Sequence, residues 1–278
     1  MTTAWWAALA TMAIVAVGDL VNRHLVGWLP DDPPRPGRKQ HARPMPLGGG
    51  LMLPVALLGL GWQGAWFTAA AAMLAAAIGW IDDRGKERGR DLDWKWKALG
   101  LGAAALLAAA AVASPWREPW LFVAIAAFVF VLTNATNFLD NTDGVCTALS
   151  ATSLLLLGNG SAWVMLAGFA TLGFLPWNWP RPRLFLGDAG AYLLGVLVAT
   201  AAAEAARHDG GALLAVAVQL GDFVQVVAAR LWLGVAPWIG DRRHLTHIVQ
   251  NLRLPRVLVA PLFVALAVLL WQLRQCGR

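Results

Sequence analysis

Apolar residues in this chain come in runs bounded by Gly, Pro and charge, and few windows stay uninterrupted for twenty residues. Runs of this kind predict helices that cross a bilayer, for which about 20 predominantly apolar residues are the usual requirement. Ten can be marked, roughly at residues 3–22, 48–63, 65–81, 97–114, 119–134, 146–158, 161–177, 188–206, 211–234 and 255–273. The second, third and sixth are short. The pattern predicts an all-α integral membrane protein, a polytopic bundle of about ten transmembrane helices forming a single domain over residues 1–278. No internal repeat, low-complexity linker or soluble domain interrupts it.

Composition agrees. The chain is 58% hydrophobic and 14% charged over 278 residues, which excludes the surface of a soluble domain. Lys and Arg orient the bundle: alternate loops at 24–46, 82–96, 135–145, 178–187 and 235–254 hold 14, whereas the opposite side holds only Arg117, Arg207, Arg274 and Arg278. The first set is therefore expected in the cytoplasm. Many of the 16 Trp residues fall at span ends, as an interfacial belt requires. The net charge of +6 is then an orientation signal and a match to anionic membrane lipid, with no nucleic acid implied. The first span lacks a basic segment before it and is expected to be retained. Cys146 and Cys276 lie far apart and give neither a disulfide framework nor metal spacing.

Five polar clusters fall on the cytoplasmic side. In T-N-A-T-N-F-L-D-N-T-D-G, Thr133 to Gly144, the residues Asn134, Asn137, Asp140 and Asp143 recur every three positions. Each step of three turns back about 60° on a helix, so neighbours touch and the set winds as a stripe. A helix stop needs one cap residue, not four in register. In G-W-I-D-D-R-G-K, Asp82 and Asp83 close an apolar run, where a helix dipole and mutual repulsion disfavour carboxylates unless a cation lies nearby. The basic stretch that follows reads as a solvated face. In P-R-P-R-L-F-L-G-D-A-G, Asp188 opens the eighth span and reads, taken alone, as an N-cap. The D-R-R-H-L-T-H loop places His244 and His247 three apart beside Asp241, Arg242 and Arg243; it offers too few ligands for zinc but suits phosphate. Finally R-K-Q-H-A-R-P-M-P-L-G-G-G, Arg38 to Gly50, is a basic loop feeding a glycine-rich helix start.

Taken in order over residues 31–253, these motifs resemble those of the polyprenyl-phosphate N-acetylhexosamine-1-phosphate transferases, ten-span enzymes that begin lipid-linked glycan synthesis. The most specific is N-A-x-N-x-x-D-x-x-D-G, and Asp222, Arg230 and Pro237 are also placed as in that family. The resemblance implies transfer of a sugar 1-phosphate from a UDP-sugar to polyprenyl phosphate, releasing UMP, with Mg2+, for which Mn2+ could substitute. It implies a bacterial plasma membrane location with catalytic loops facing the cytoplasm, and it is compatible with a homodimer. By resemblance, Asp188 is the main metal ligand, with Asp82 and Asn137 beside it. Asp82 and Asp83 handle metal or the attacking lipid phosphate, and Asn137, Asp140 and Asp143 contact metal and uridine. Phe185 stacks on uracil, and Arg242, His244 and His247 hold phosphate. Arg38, Lys39, His41 and Asn134 complete the substrate-binding set. Whether Asp82 acts as a base stays open, because the lipid phosphate is already an anion near neutral pH.

The sequence departs from the family pattern locally. The stretch Asp32 to Lys39 is one residue longer than usual. Asn141 and Thr142 replace Gly and an aliphatic residue between the two aspartates, Ala191 stands where Ser is common, and Thr246 sits between the histidines where another His is frequent. The missing triple-His signature of the peptidoglycan-precursor branch favours the branch that primes O-antigen, common-antigen or teichoic-acid polymers. Two rivals fare worse. A transporter would place charge near span midpoints, whereas Asp19, Glu204 and Asp222 lie near ends. A CDP-alcohol phosphotransferase would need a D-G-x-x-A-R pattern, and Asp143-Gly144 is followed by Val-Cys-Thr.

Overall fold

Eleven α-helices make up almost all the regular structure in the computed structural model, which describes residues 4–25, 27–34, 43–236 and 242–276. They are α1 (Trp6–His24), α2 (Leu53–Trp62), α3 (Trp66–Glu87), α4 (Trp94–Val112), α5 (Pro119–Phe138), α6 (Val145–Leu157), α7 (Ala162–Asn178), α8 (Gly187–Ala206), α9 (Ala217–Trp232), α10 (Leu245–Asn251) and α11 (Arg256–Cys276). Tight 3-10 turns at Gly49–Met52 and Gly210–Val216 lead into α2 and α9. Two-residue strands β1 (Asp31–Asp32) and β2 (Met45–Pro46) pair antiparallel.

Each of the ten apolar runs is helical. Six helical stretches, α1, α4, α5, α8, Gly210–Trp232 and Arg256–Arg274, are long and apolar enough to cross a membrane on length and composition alone. The helix α3 differs from expectation by running on through Glu87, so that Asp82 and Asp83 sit inside its final turns and not beyond its end.

Helix α8 is the axis of the bundle. Protein buries 83% of its apolar window against 22–39% for the other five, which leaves those helices facing lipid. Without a hydrophobic force between helices in lipid, close packing depends on small residues. Gly79 of α3 shows why: a Cβ there would lie 2.4 Å from the backbone nitrogen of Ala189 on α8. The neighbouring Ala72, Ala75 and Ala76 are buried as well.

The C-terminal ends of α3, α5, α7 and α9 meet the N-terminal ends of α4, α6, α8 and α11 at one end of the bundle. Lys97 there reaches Asp82, and Arg256 reaches Asp143. The described basic residues Arg84, Arg88, Arg90, Arg181, Arg242 and Arg243 lie at this same end. At the other end Arg207 pairs with Glu118 at 2.8 Å, and Trp62, Trp116 and Trp120 are exposed, as interfacial aromatics are.

Candidate functional site

The start of α8 organises the basic end. Its N-cap, Leu186, supplies no side-chain acceptor, so the first N–H groups of the helix need partners from elsewhere. Asp140 Oδ2 accepts the Gly187 N–H at 3.1 Å. Asp83 Oδ1 and Oδ2 accept those of Asp188 and Ala189, each at 3.1 Å. Gly187 has φ +70°, and an added Cβ would lie 2.8 Å from Asp83 Oδ2, so glycine is required for this approach. Two carboxylates on other elements therefore cap α8, and the positive end of its dipole favours them there.

Asp188 is thereby spared the capping role that its position suggests. Its Oδ1 accepts from Asn137 Nδ2 at 3.2 Å and its Oδ2 lies 2.8 Å from Lys86 Nζ. Lys86 also pairs with Asp82 Oδ2 at 2.7 Å, one helical turn back. Lys97 of α4 reaches the same oxygen at 2.7 Å, while Asp82 Oδ1 accepts the Leu92 N–H at 2.8 Å. The Asp82 carboxylate, wholly buried, is thus saturated by three donors and lies behind the cavity wall. Among the described residues, the four carboxylates Asp82, Asp83, Asp140 and Asp188 gather around the two ammonium groups of Lys86 and Lys97. Desolvation pushes the Asp140 carboxyl well above the usual carboxylate range, and the charges of Asp188 and Asp83 add to it. Carboxylates gathered this closely, and in excess of the ammonium groups beside them, leave room for further positive charge. Among the described residues, no three His, Cys, Asp or Glu side chains converge as a complete metal cage. The oxygen donors Asp188 and Asn137 fit Mg2+ in its usual mode, in which one or two protein ligands are completed by water and substrate phosphate.

The stripe from Asn134 to Asp143 divides along its length. Asn134 turns back to the Phe130 carbonyl at 2.8 Å, Asn137 meets Asp188, Asp140 caps α8, and Asp143 pairs with Arg256 of α11 at 3.0 Å. Helix α5 stops at Phe138, and the turn that follows ends on Gly144. That glycine has φ +72° with the Trp179 side chain against it: a Cβ would fall 2.4 Å from Trp179 Cβ. No other residue fits.

The histidine pair is positioned from α9. Buried Asp222 accepts the Leu245 N–H at 2.6 Å through Oδ1 and holds His244 Nδ1 at 2.8 Å through Oδ2. Phe138 packs edge-on against the His244 ring at 5.5 Å between centroids, and the Arg230 guanidinium stacks over Phe138 at 5.0 Å. The His247 ring lies 6.2 Å from that of His244. Burial, reinforced by Arg242, pushes its imidazole down to about 4, so it is neutral near pH 7. Positive charge in this region resides on Arg242 and Arg256, with His247 a neutral partner.

These groups line one cavity of about 870 Å3. Asp83, Lys86, Asn137, Asp140 and Asp188 form its floor, and Phe185, Asp143, Arg242, His244 and His247 its rim. Phe185 is set there by backbone pairing, its N–H donating to Pro46 and its carbonyl accepting from Gly48, both at 2.9 Å. Leu101, Phe130, Val131, Phe223 and Val227 give the cavity an apolar wall. Arg38, Lys39 and His41 fall within 35–42 and Asp241 within 237–241, outside the described residues. Sequence reasoning missed Lys86 and Lys97, read as solvated charge, along with Arg256 and the role of Asp222. Lys86 left a signal in its i, i+4 spacing from Asp82, and Asp222 one in its place in the family pattern.

A helical membrane bundle with a carboxylate and lysine floor under a cationic rim defines a class of interfacial site for polyanionic substrates. The profile of glycosyl transferase family 4 matches residues 65–206, and the chain belongs to that family. Among its relatives, the undecaprenyl-phosphate alpha-N-acetylglucosaminyl 1-phosphate transferase of Thermotoga maritima is 28% identical over 77% of this chain and 71% of its own length. The phospho-N-acetylmuramoyl-pentapeptide-transferase of Synechococcus sp. strain JA-3-3Ab is 33% identical over 67% of this chain and 64% of its own. The decaprenyl-phosphate N-acetylglucosaminephosphotransferase of Mycobacterium tuberculosis is 30% identical over 42% of this chain and 37% of its own. The chain thus spans somewhat less than two thirds of the Synechococcus protein.

Proposed function

We propose that this protein transfers a sugar 1-phosphate, N-acetylhexosamine 1-phosphate in the first instance, from a UDP-sugar to polyprenyl phosphate at the cytoplasmic face of a bacterial plasma membrane. The supporting observation is the single cavity in which an acidic floor built around Asp188, Lys86 and Asn137 meets both a cationic rim and an apolar wall. The first two suit a nucleotide diphosphate and the third a prenyl chain.

An oxygen of the lipid phosphate attacks the β-phosphorus of the UDP-sugar. One phosphoanhydride bond forms as another breaks, and UMP departs with the bridging oxygen. No ATP is needed, and no base is required, because a phosphate monoester with a second pKa near 6 is already anionic. Asp188 and Asn137 would hold Mg2+, which when bound neutralises phosphate oxygens as charge shifts to the leaving UMP. Lys86 keeps Asp188 ionised and oriented. Asp83 and Asp140 fix the start of α8, and through it Asp188. Arg242, Arg256 and His247 supply donors to the diphosphate, and Phe185 offers a face for the uracil. The relatives span peptidoglycan-precursor and N-acetylglucosamine enzymes. Thr246, standing between two histidines where a third is frequent, favours the second branch.

Purified protein offered polyprenyl phosphate and a panel of UDP-sugars, UDP-N-acetylglucosamine first, is expected to release UMP in an Mg2+-dependent manner. Absence of UMP with every sugar would reject the reading.

A further inference from the structure

Asn141, Thr142 and Thr246, three of the positions at which the sequence departs from its family pattern, meet in one hydrogen-bond network although the second and third are 104 positions apart in the chain. The Asn141 amide is fixed by donation from Nδ2 to the Phe138 carbonyl at 2.5 Å. Its Oδ1 then receives two hydroxyls, Thr246 Oγ1 at 2.5 Å and Thr142 Oγ1 at 2.9 Å. Gln250 Nε2 closes the ring, donating to Thr142 Oγ1 and to the Thr246 carbonyl, both at 3.1 Å. Thr142 and Thr246 are buried.

The network joins α10 to the turn that follows α5. Helix α10 is seven residues long, far below the length at which a helix is stable alone, so contacts set its position. Asp222 grips its first turn, and the Asn141 ring grips its flank. The cavity residues His247 and Asp143 adjoin Thr246 and Thr142 in the chain. Because the amide oxygen accepts both hydroxyls at once, the groups form a set: removing one member leaves the others misaligned.

We propose that Asn141, Thr142, Thr246 and Gln250 are a positioning lock that docks α10 on the aspartate turn and thereby sets affinity for a nucleoside diphosphate. The proposal rests on the UDP-sugar reading above.

The test uses the full chain in detergent with UDP itself as probe, measured by titration calorimetry beside a thermal melt. Asn141→Ala and Thr246→Val should each weaken UDP binding about five- to tenfold. The double variant should bind no more than about twofold worse than the weaker single, since members of one network are not additive. Thr246→Ser, which keeps the hydroxyl, should bind as the wild type does. If either single variant fails to fold, Thr142→Val removes the other arm and must show the same weakening. Unchanged UDP affinity in folded variants overturns the lock, whatever the melt does, and so do single effects that multiply in the double variant. Wild-type protein that does not bind UDP rejects the nucleotide reading and the lock together, whereas a binding wild type with indifferent variants rejects the lock alone.

Discussion

Asp83 of α3 holds the backbone of Asp188: its Oδ1 accepts the Asp188 N–H at 3.1 Å and its other oxygen the next N–H along. The two aspartates look alike in sequence, each in a short polar motif at a helix end, and both line the cavity, yet Asp83 braces the start of α8 while the Asp188 carboxylate meets Lys86 and Asn137. Asp83→Ala should strand two buried donors at about 1–3 kcal/mol each and lower the melting temperature clearly. Asp188→Asn leaves that brace in place and should melt close to wild type while losing orders of magnitude in UMP release. Thermal melts and turnover of both variants check the pair of outcomes; an inactive but fully stable Asp83→Ala protein would reject the bracing role.

Lys86 neutralises Asp82 and Asp188 from one position. Removing one partner of a buried ion pair costs about 3–5 kcal/mol because charge is left without compensation. Lys86→Met should therefore destabilise strongly, and adding Asp82→Asn should recover part of the loss. The check is a double-mutant cycle on melting temperature, in which additive effects would mean that the two residues do not share the interaction.

The fold at this end was partly legible beforehand. Each apolar run became a helix because hydropathy and length decide that locally. The end of α3 was misread because Asp82, Asp83 and Lys86 look like a helix boundary when neighbours are ignored; their partners sit on α4 and α8, at separations that no local pattern reports. The same blindness made Lys86 and Lys97 look solvated. Motif residues Asn137, Asp188 and His247 stood out because their chemistry is unusual at a membrane surface, and Phe185 through the family resemblance; all four line one cavity. Asp222 was visible as a charge near a span end and by its place in the family pattern, but its grip on His244 depends on how α9 meets α10.

His247 gives a pH signature. Its folded value of about 4 lies below the ordinary 6.5, so between those limits the unfolded chain binds a proton that the native state refuses. The stability that His247 permits is full above pH 6.5 and is lost as pH falls toward 4. Asp140, raised in the fold, acts with the opposite sign. The difference between wild type and His247→Gln isolates the histidine: from pH 7 to 4 the variant should lose less melting temperature. Parallel curves would contradict a neutral, desolvated His247.

Topology can be read with an impermeant thiol reagent on single cysteines in a Cys276→Ser background, where buried Cys146 is protected. Arg90→Cys should label only from the cytoplasm and Trp116→Cys only from outside. Labelling of both from one side would dismantle the shared interfacial site.

Isotope placement reads the transfer of phosphorus from nucleotide to lipid. With a UDP-sugar labelled at the β-phosphorus and polyprenyl phosphate as acceptor, the label should appear in the lipid diphosphate sugar and none in UMP, with Asp188→Asn protein transferring almost nothing. Label that stays with the nucleotide, or sugar that reaches the lipid without it, would contradict attack at the β-phosphorus and the function built on it.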